Sequence, residues 1–204
     1  MSDPDISSVV FVSFYTVGYE EQAAELARSA LQYGLRIEID RVKSKGNHTL
    51  NIRYKPEFIL MKAKCRRKGV KAIVWVDADA IFRAFPSLLF DLDCDLAVHY
   101  RDGKELLSGT MYWSFSDRTM DALEAWVKQL GLHRGKFEQV MLQEMLEKDN
   151  LGLKIEELPT EYCKIFDLVE RQDQGREVFP VIEHFQRSRA RKEFAKALRE
   201  DFRR

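Results

Sequence analysis

Two aspartates one residue apart, Asp77 and Asp79, follow an uninterrupted apolar run, Ala72-Ile73-Val74-Trp75-Val76. Residues two apart in an extended chain project to the same side. The small Ala78 between them leaves room for a ligand. A carboxylate pair beside a hydrophobic strand is costly unless something neutralises it. A hard divalent cation, Mg²⁺ or Mn²⁺, is the natural neutraliser, held by carboxylates together with substrate phosphate oxygens. Such pairs also occur as solvated loop residues, and spacing alone does not separate the two readings. The preceding run weighs for a site, because ligands of open α/β sheets sit at the carboxyl ends of the strands.

Other residues could join this chemistry. His184 offers an imidazole, although a lone histidine is as readily structural; His48, His99 and His133 carry no supporting pattern and are read as structural. Lys55 precedes Pro56, which marks a helix start, and a helix N-terminus favours anions; the alternative is a surface lysine. Tyr15, Thr16 and Tyr19 occupy the loop after the first apolar run, where an aromatic ring could stack on a base or pack at a strand end. Ser108-Gly109-Thr110 offers hydroxyls and a glycine that lets backbone approach a ligand, or kinks a strand. Glu138 and Gln139 open a helix, whose first turn favours an acid whatever its function.

Elements must hold these residues in place. Val9 to Phe14 reads as a buried strand. Glu20 to Tyr33 reads as a helix with Ala23, Leu26, Ala27, Ala30 and Leu31 inward, stopped by Gly34. Leu35, Ile37 and Ile39 alternate with charged residues, as in a strand with one wet face. Residues 43–51 read as a loop around Gly46 and Asn47. A helix runs from Pro56 to about Lys68, and Ala72 to Val76 is a central strand. This β-α-β-α-β opening predicts a parallel sheet wrapped by helices. Strands are expected at Leu96 to Val98, Met111 to Trp113, Leu153 to Leu158 and Phe179 to Ile182. Helices are expected at Asp117 to Leu130, with Met120, Leu123, Val127 and Leu130 inward, and at Phe137 to Glu147. The pattern is α/β first, then mixed α+β.

The run Val74 to Phe82 resembles the DxD region of glycosyltransferases with the GT-A fold, nearest to the family 8 and family 77 nucleotide-sugar transferases. Tyr54-Lys55-Pro56-Glu57-Phe58-Ile59 resembles their helix start, and Leu107 to Met111 their small-residue segment facing the donor sugar. Phe137-Glu138-Gln139 resembles their acidic-Gln pair, with Glu standing in place of the usual Asp. Ile182-Glu183-His184-Phe185 resembles the segment whose histidine completes the metal site. The resemblance spans roughly residues 9–185 in family order. It implies an α/β fold, a GT-A-type Rossmann-like mixed sheet flanked by helices in a single domain over residues 1–186. It also implies a hexosyl- or pentosyltransferase using a nucleotide-diphosphate sugar, expected to be a UDP-sugar, with retention of anomeric configuration. Asp77, Asp79 and His184 would hold Mn²⁺ or Mg²⁺; imidazole in the set suits Mn²⁺. Lys55 would offset charge on the leaving diphosphate. Tyr15, Thr16 and Tyr19 would receive the nucleoside, Ser108, Gly109 and Thr110 the donor sugar, and Glu138 and Gln139 would lie beside the reacting carbon.

Bulk properties bound the rest. The 204 residues carry no net charge, 45% hydrophobic and 32% charged residues, so no global field favours nucleic acid or membrane. No apolar run reaches the roughly 20 residues that span a bilayer. The polar, acidic MSDPDISS start lacks signal-peptide character, and the three cysteines lack metal-site spacing, so a cytoplasmic protein with reduced thiols is expected. Residues 187–204 are expected to form a separate basic helix, with eight basic and three acidic residues. Its apolar stripe could pack on the domain, or its basic face could contact a polyanion. The acceptor is accordingly open between a glycan and a hydroxylated DNA base. Two rival readings remain: a nucleotidyltransferase, for which Tyr15 to Gly18 is a poor phosphate loop, and a non-catalytic nucleotide-sugar or glycan-binding module.

Overall fold

A computed structural model describes residues 5–65, 68–148 and 151–186. The expected basic helix over 187–204 therefore lies outside the described residues. The chain begins with β1 (Val9–Tyr15), α1 (Glu20–Gln32), β2 (Ile37–Arg41), α2 (His48–Arg53), α3 (Lys55–Lys64) and β3 (Ala72–Val76). It continues through β4 (Ala80–Phe82), α4 (Leu88–Asp91), β5 (Leu96–Arg101), β6 (Glu105–Ser114), α5 (Asp117–Leu132) and α6 (Glu138–Glu147). The last elements are β7 (Ile155–Glu157), β8 (Lys164–Ile165) and β9 (Ile182–His184).

The main sheet has six strands in the order β2-β1-β3-β6-β5-β7. Pairing is parallel within β2-β1-β3 and between β5 and β7, and antiparallel on both sides of β6. Only β6 runs against the others, so the sheet is mixed but mostly parallel, as expected. The period-2 alternation of β1 shows why it is central. Val9 and Phe11 join one core with Leu26 and Ala30 of α1, while Val10 and Val12 join the other with Phe58 of α3 and Trp126 of α5. Stacked Trp113 and Trp126, 5.9 Å apart between centroids, fill the second layer. A smaller sheet, β4-β9-β8, stands beside the main one.

Several expectations are corrected. Residues 48–51 of the expected loop belong to α2, because Asn47 caps it by accepting from the Leu50 N–H at 2.9 Å. Leu31 does not face inward but is exposed; Ser29 takes the buried place, donating to the Leu26 carbonyl and accepting from the Phe82 N–H. In α5 Leu123 and Leu130 are buried as expected, but Met120 and Val127 are only half-buried, and Thr119, Ala122 and Trp126 complete the inner face. The last strand begins at Ile182, later than expected, and includes His184; Phe179 is exposed. β6 is longer than the expected Met111–Trp113 and takes in the whole Ser108-Gly109-Thr110 segment. Among the described residues, no helix is long and apolar enough to cross a membrane.

Candidate active site

The acidic turn is built where β3 ends. The Asp77 N–H donates to the Gly109 carbonyl at 2.9 Å, extending the β3–β6 ladder by one residue, and the Ala80 N–H closes the turn on the Asp77 carbonyl at 3.0 Å. The chain then enters β4, whose Ala80 pairs with His184 of β9. The Phe185 N–H reaches the Asp79 carbonyl at 3.3 Å. The small sheet therefore carries a residue more than a hundred positions away to the acidic turn. One ligand atom each from Asp77, Asp79 and His184 lie within 4.8 Å of one another.

The donor set is two carboxylates and an imidazole, a combination that suits Mn²⁺ or Mg²⁺ with phosphate oxygens completing the shell. His184 is buried, and its Nε2 lies 2.9 Å from the Thr110 hydroxyl. Burial pushes its pKa down to about 4; the Asp77 carboxylate opposes this and the Lys55 ammonium adds to it. A neutral imidazole is the form that ligates a metal. Its ring lies against Gly109, where an added Cβ would sit 2.9 Å from Cε1 and 3.1 Å from Nδ1. The glycine thus makes room for the histidine while it also lines the cleft.

Lys55 is the hub of the site. It is the first residue of α3, and its side chain crosses to the sheet instead of capping the helix. Its ammonium lies 3.0 Å from Asp77 Oδ1, 3.2 Å from Glu138 Oε1, and 3.0 Å from both the Ser108 hydroxyl and carbonyl oxygens. Burial works against the charged form, but Asp77 and Glu138 outweigh it and hold the pKa above the ordinary lysine value. Asp77 also accepts from Trp75 Nε1 at 2.8 Å. The Ser108 hydroxyl donates to Glu138 at 2.9 Å, the Ser108 N–H to Gln139 Oε1 at 3.2 Å, and Gln139 Nε2 to Glu105 at 3.4 Å. Asp77, Lys55, Ser108, Glu138, Gln139 and Glu105 are one continuous network.

These groups open on a cleft of about 580 Å³. Tyr15, Thr16, Tyr19, Lys55, Asp77, Asp79, Ser108, Gly109, Glu138, Gln139 and His184 all line it. Of the sequence-derived candidates, only Thr110 stands behind the wall, fully buried against His184. Sequence reasoning missed Trp75, Glu105, Cys163 and the α2 residues His48, Asn51 and Ile52. The Asn47 cap signal before His48 could have revealed α2. Cys163 is buried, with its thiol pushed up to about 12 by desolvation, so it is a wall and not a nucleophile. Gln186, also lining the cleft, has a φ of 46°, a strained conformation for a non-glycine residue.

The fold recurs in known proteins. A glycosyltransferase involved in the glycosylation of the major capsid of PBCV-1 superimposes with a TM-score of 0.67 at 10% identity, covering 87% of this chain and 92% of that one. The glycosyltransferase GlyE of Streptococcus pneumoniae TIGR4 gives a TM-score of 0.58 at 15% identity, and its apo form 0.59 at 12%. Those two alignments cover 86% of this chain but 54% of GlyE, so the chain spans about half the length of that protein. No match is found among curated proteins. The sequence profile of the nucleotide-diphospho-sugar transferases matches residues 54–190, from the Tyr54-Lys55-Pro56 helix start through the acidic turn to beyond His184. The chain therefore belongs to the nucleotide-diphospho-sugar transferase family and is a glycosyltransferase with a mixed α/β fold.

Proposed function

We propose that the enzyme moves a sugar from a nucleoside diphosphate to an acceptor hydroxyl in a cation-dependent reaction that retains anomeric configuration. The observation that carries this reading is the convergence of Asp77, Asp79 and His184 within 4.8 Å at the wall of the cleft. These three residues would hold Mn²⁺ or Mg²⁺, which when bound supplies Lewis-acid stabilisation of the departing diphosphate. The Thr110 hydroxyl, 2.9 Å from His184 Nε2, would hold the imidazole in place for that role.

The remaining roles fall to the chain's own groups. Tyr15 and Tyr19 offer rings for a base, which supports a nucleoside subsite with Thr16 at the end of β1. Ser108 and Gly109 bound the donor sugar. Lys55 sets the charge balance of the wall: its ammonium fixes Asp77 and Glu138 together, so that carboxylates facing an anionic donor are already compensated. Glu138 is buried and tied by Lys55 and Ser108, which supports a positioning role. Gln139 presents a neutral amide beside it, held by Ser108 and Glu105. In the reaction the C1–O bond to the diphosphate breaks, the C1–O bond to the acceptor forms, and the acceptor hydroxyl's proton passes to the departing diphosphate.

The test is thermal stabilisation by UDP-, GDP- and TDP-sugars and their diphosphates, with and without Mn²⁺. A UDP compound should stabilise only with the cation, and Asp79→Ala should abolish the effect. Stabilisation that ignores both the cation and Asp79→Ala would overturn the metal assignment. Proton NMR of the first-formed product reads the anomeric outcome, and an inverted product would overturn retention.

A further inference from the structure

The sheet order divides the cleft. β1, with Tyr15 at its end, lies on one side of β3, and β6 on the other. On the β6 side stand two exposed apolar residues, Phe137 (48% exposed) and Val140 (44%). Both line the cleft, and Phe137 directly precedes Glu138 and Gln139. The segment that presents Phe137 is pinned: Arg53, at the end of α2, donates to the backbone carbonyls of Leu130, His133 and Lys136. An exposed aromatic ring held this firmly has no internal partner to explain it among the described ring contacts. Beside it Glu105 offers a half-exposed carboxylate, bonded to Gln139 and Arg101.

Charge selects what can bind there. The lysine and carboxylate side chains lining the cleft are Lys55 and Asp77, Asp79, Glu105 and Glu138. Nearby, Arg101 pairs with Glu105, Lys136 pairs with Glu144, and Arg53 donates to backbone carbonyls. The cation site and Lys55 answer the carboxylates around the donor, whereas Phe137, Val140, Gln139 and Glu105 on the β6 side include no cation for a phosphate backbone to pair with. An uncharged pyranose fits it, because its C–H face can lie on an aromatic ring while its hydroxyls reach a carboxylate. We propose that the acceptor is a neutral saccharide, stacked on Phe137 and Val140 with a hydroxyl donated to Glu105. This rests on the reading of the cleft as the donor site.

The experiment follows nucleoside diphosphate release above donor-only hydrolysis, using the donor found in the stabilisation screen. The probes are methyl glycosides and disaccharides of glucose, galactose and N-acetylglucosamine, and duplex DNA containing 5-hydroxymethylcytosine. Neutral saccharides should accelerate release and DNA should not. With the best saccharide, Phe137→Ala should raise acceptor KM on the order of tenfold with kcat held within about twofold, and Phe137→Trp should restore KM. Acceleration by DNA alone, no acceleration by any saccharide, or an unmoved KM in Phe137→Ala overturns the proposal. A fall in Mn²⁺-dependent nucleotide stabilisation equal to the loss in KM also overturns it, by showing a damaged fold. Failure of the donor reading is separate, since it appears in the wild type as release that ignores Mn²⁺.

Discussion

A methyl group added at Gly109 would meet His184 Cε1 at 2.9 Å, Nδ1 at 3.1 Å and Cys163 Sγ at 3.4 Å. None of these can retreat easily, because His184 is strand-paired to Ala80 and bonded to Thr110, and Cys163 is buried. Gly109→Ala should therefore cost about 1–3 kcal/mol by overpacking. It should also displace the imidazole enough to weaken Mn²⁺-dependent nucleotide binding; urea denaturation and a metal titration read the two effects. Lys55 poses the opposite problem, a cation whose loss leaves buried Glu138 unpaired. Lys55→Met should destabilise by about 3–5 kcal/mol, and adding Glu138→Gln should recover a substantial part by removing the orphaned charge. Additive losses in the double-mutant cycle would show that the pair is not coupled. His184 gives a pH signature in metal-free protein. The unfolded chain takes up its proton near pH 6.5, the folded chain only at about 4. Between those values the unfolded state binds more protons, so stability falls as pH falls. Denaturation in chelator across this window should show that slope, and His184→Asn should reduce it.

At the scale of elements, legibility followed length and apolar content. β1, α1, β3 and α6 are long or strongly patterned, and the sequence places them within a few residues. So are the site residues at their ends, since a strand terminus fixes where the next side chains must lie. α2 was opaque because its six residues, HTLNIR, have no buried member and no apolar face. The small β4-β9-β8 sheet was opaque because strands of two or three residues carry no readable period. Its pairing is a long-range contact that only the packed molecule defines. Thr110 and Leu31 show the limit of residue-type reasoning: a hydroxyl expected on donor sugar serves a histidine, and a leucine at helical spacing faces water. The cap that was missed can be tested directly. Asn47→Ala removes the acceptor for the Leu50 N–H and should cost about 1 kcal/mol, read as a lowered denaturation midpoint. Because α2 supplies His48, Asn51 and Ile52 to the cleft, donor KM should rise as well.

Across the whole molecule, the site joins two sheets that share one core through Ala80, Phe82 and Ile182. Asp77 belongs to the main sheet through its bond to Gly109, and His184 to the small one through Ala80. The two ends of the β4–β9 pairing close with Arg83 N–H donating to the Val181 carbonyl and Phe185 N–H donating to the Asp79 carbonyl. A ligand bound to Asp77, Asp79 and His184 together must therefore oppose separation of the two sheets. It adds stability only to the state in which they are joined, about 2.7 kcal/mol at a hundredfold excess over Kd. Local opening draws on the weakest contacts first. Hydrogen exchange of the Arg83 and Phe185 amides should thus slow more than that of the β1 and β3 amides when Mn²⁺ and a nucleoside diphosphate are added together. Asp79→Ala should remove the added protection while leaving exchange in β1 and β3 as in the unliganded protein. Protection spread evenly over both sheets, or confined to the end of β1, would mean that the ligand is held by the nucleoside subsite alone and that His184 takes no part in its capture.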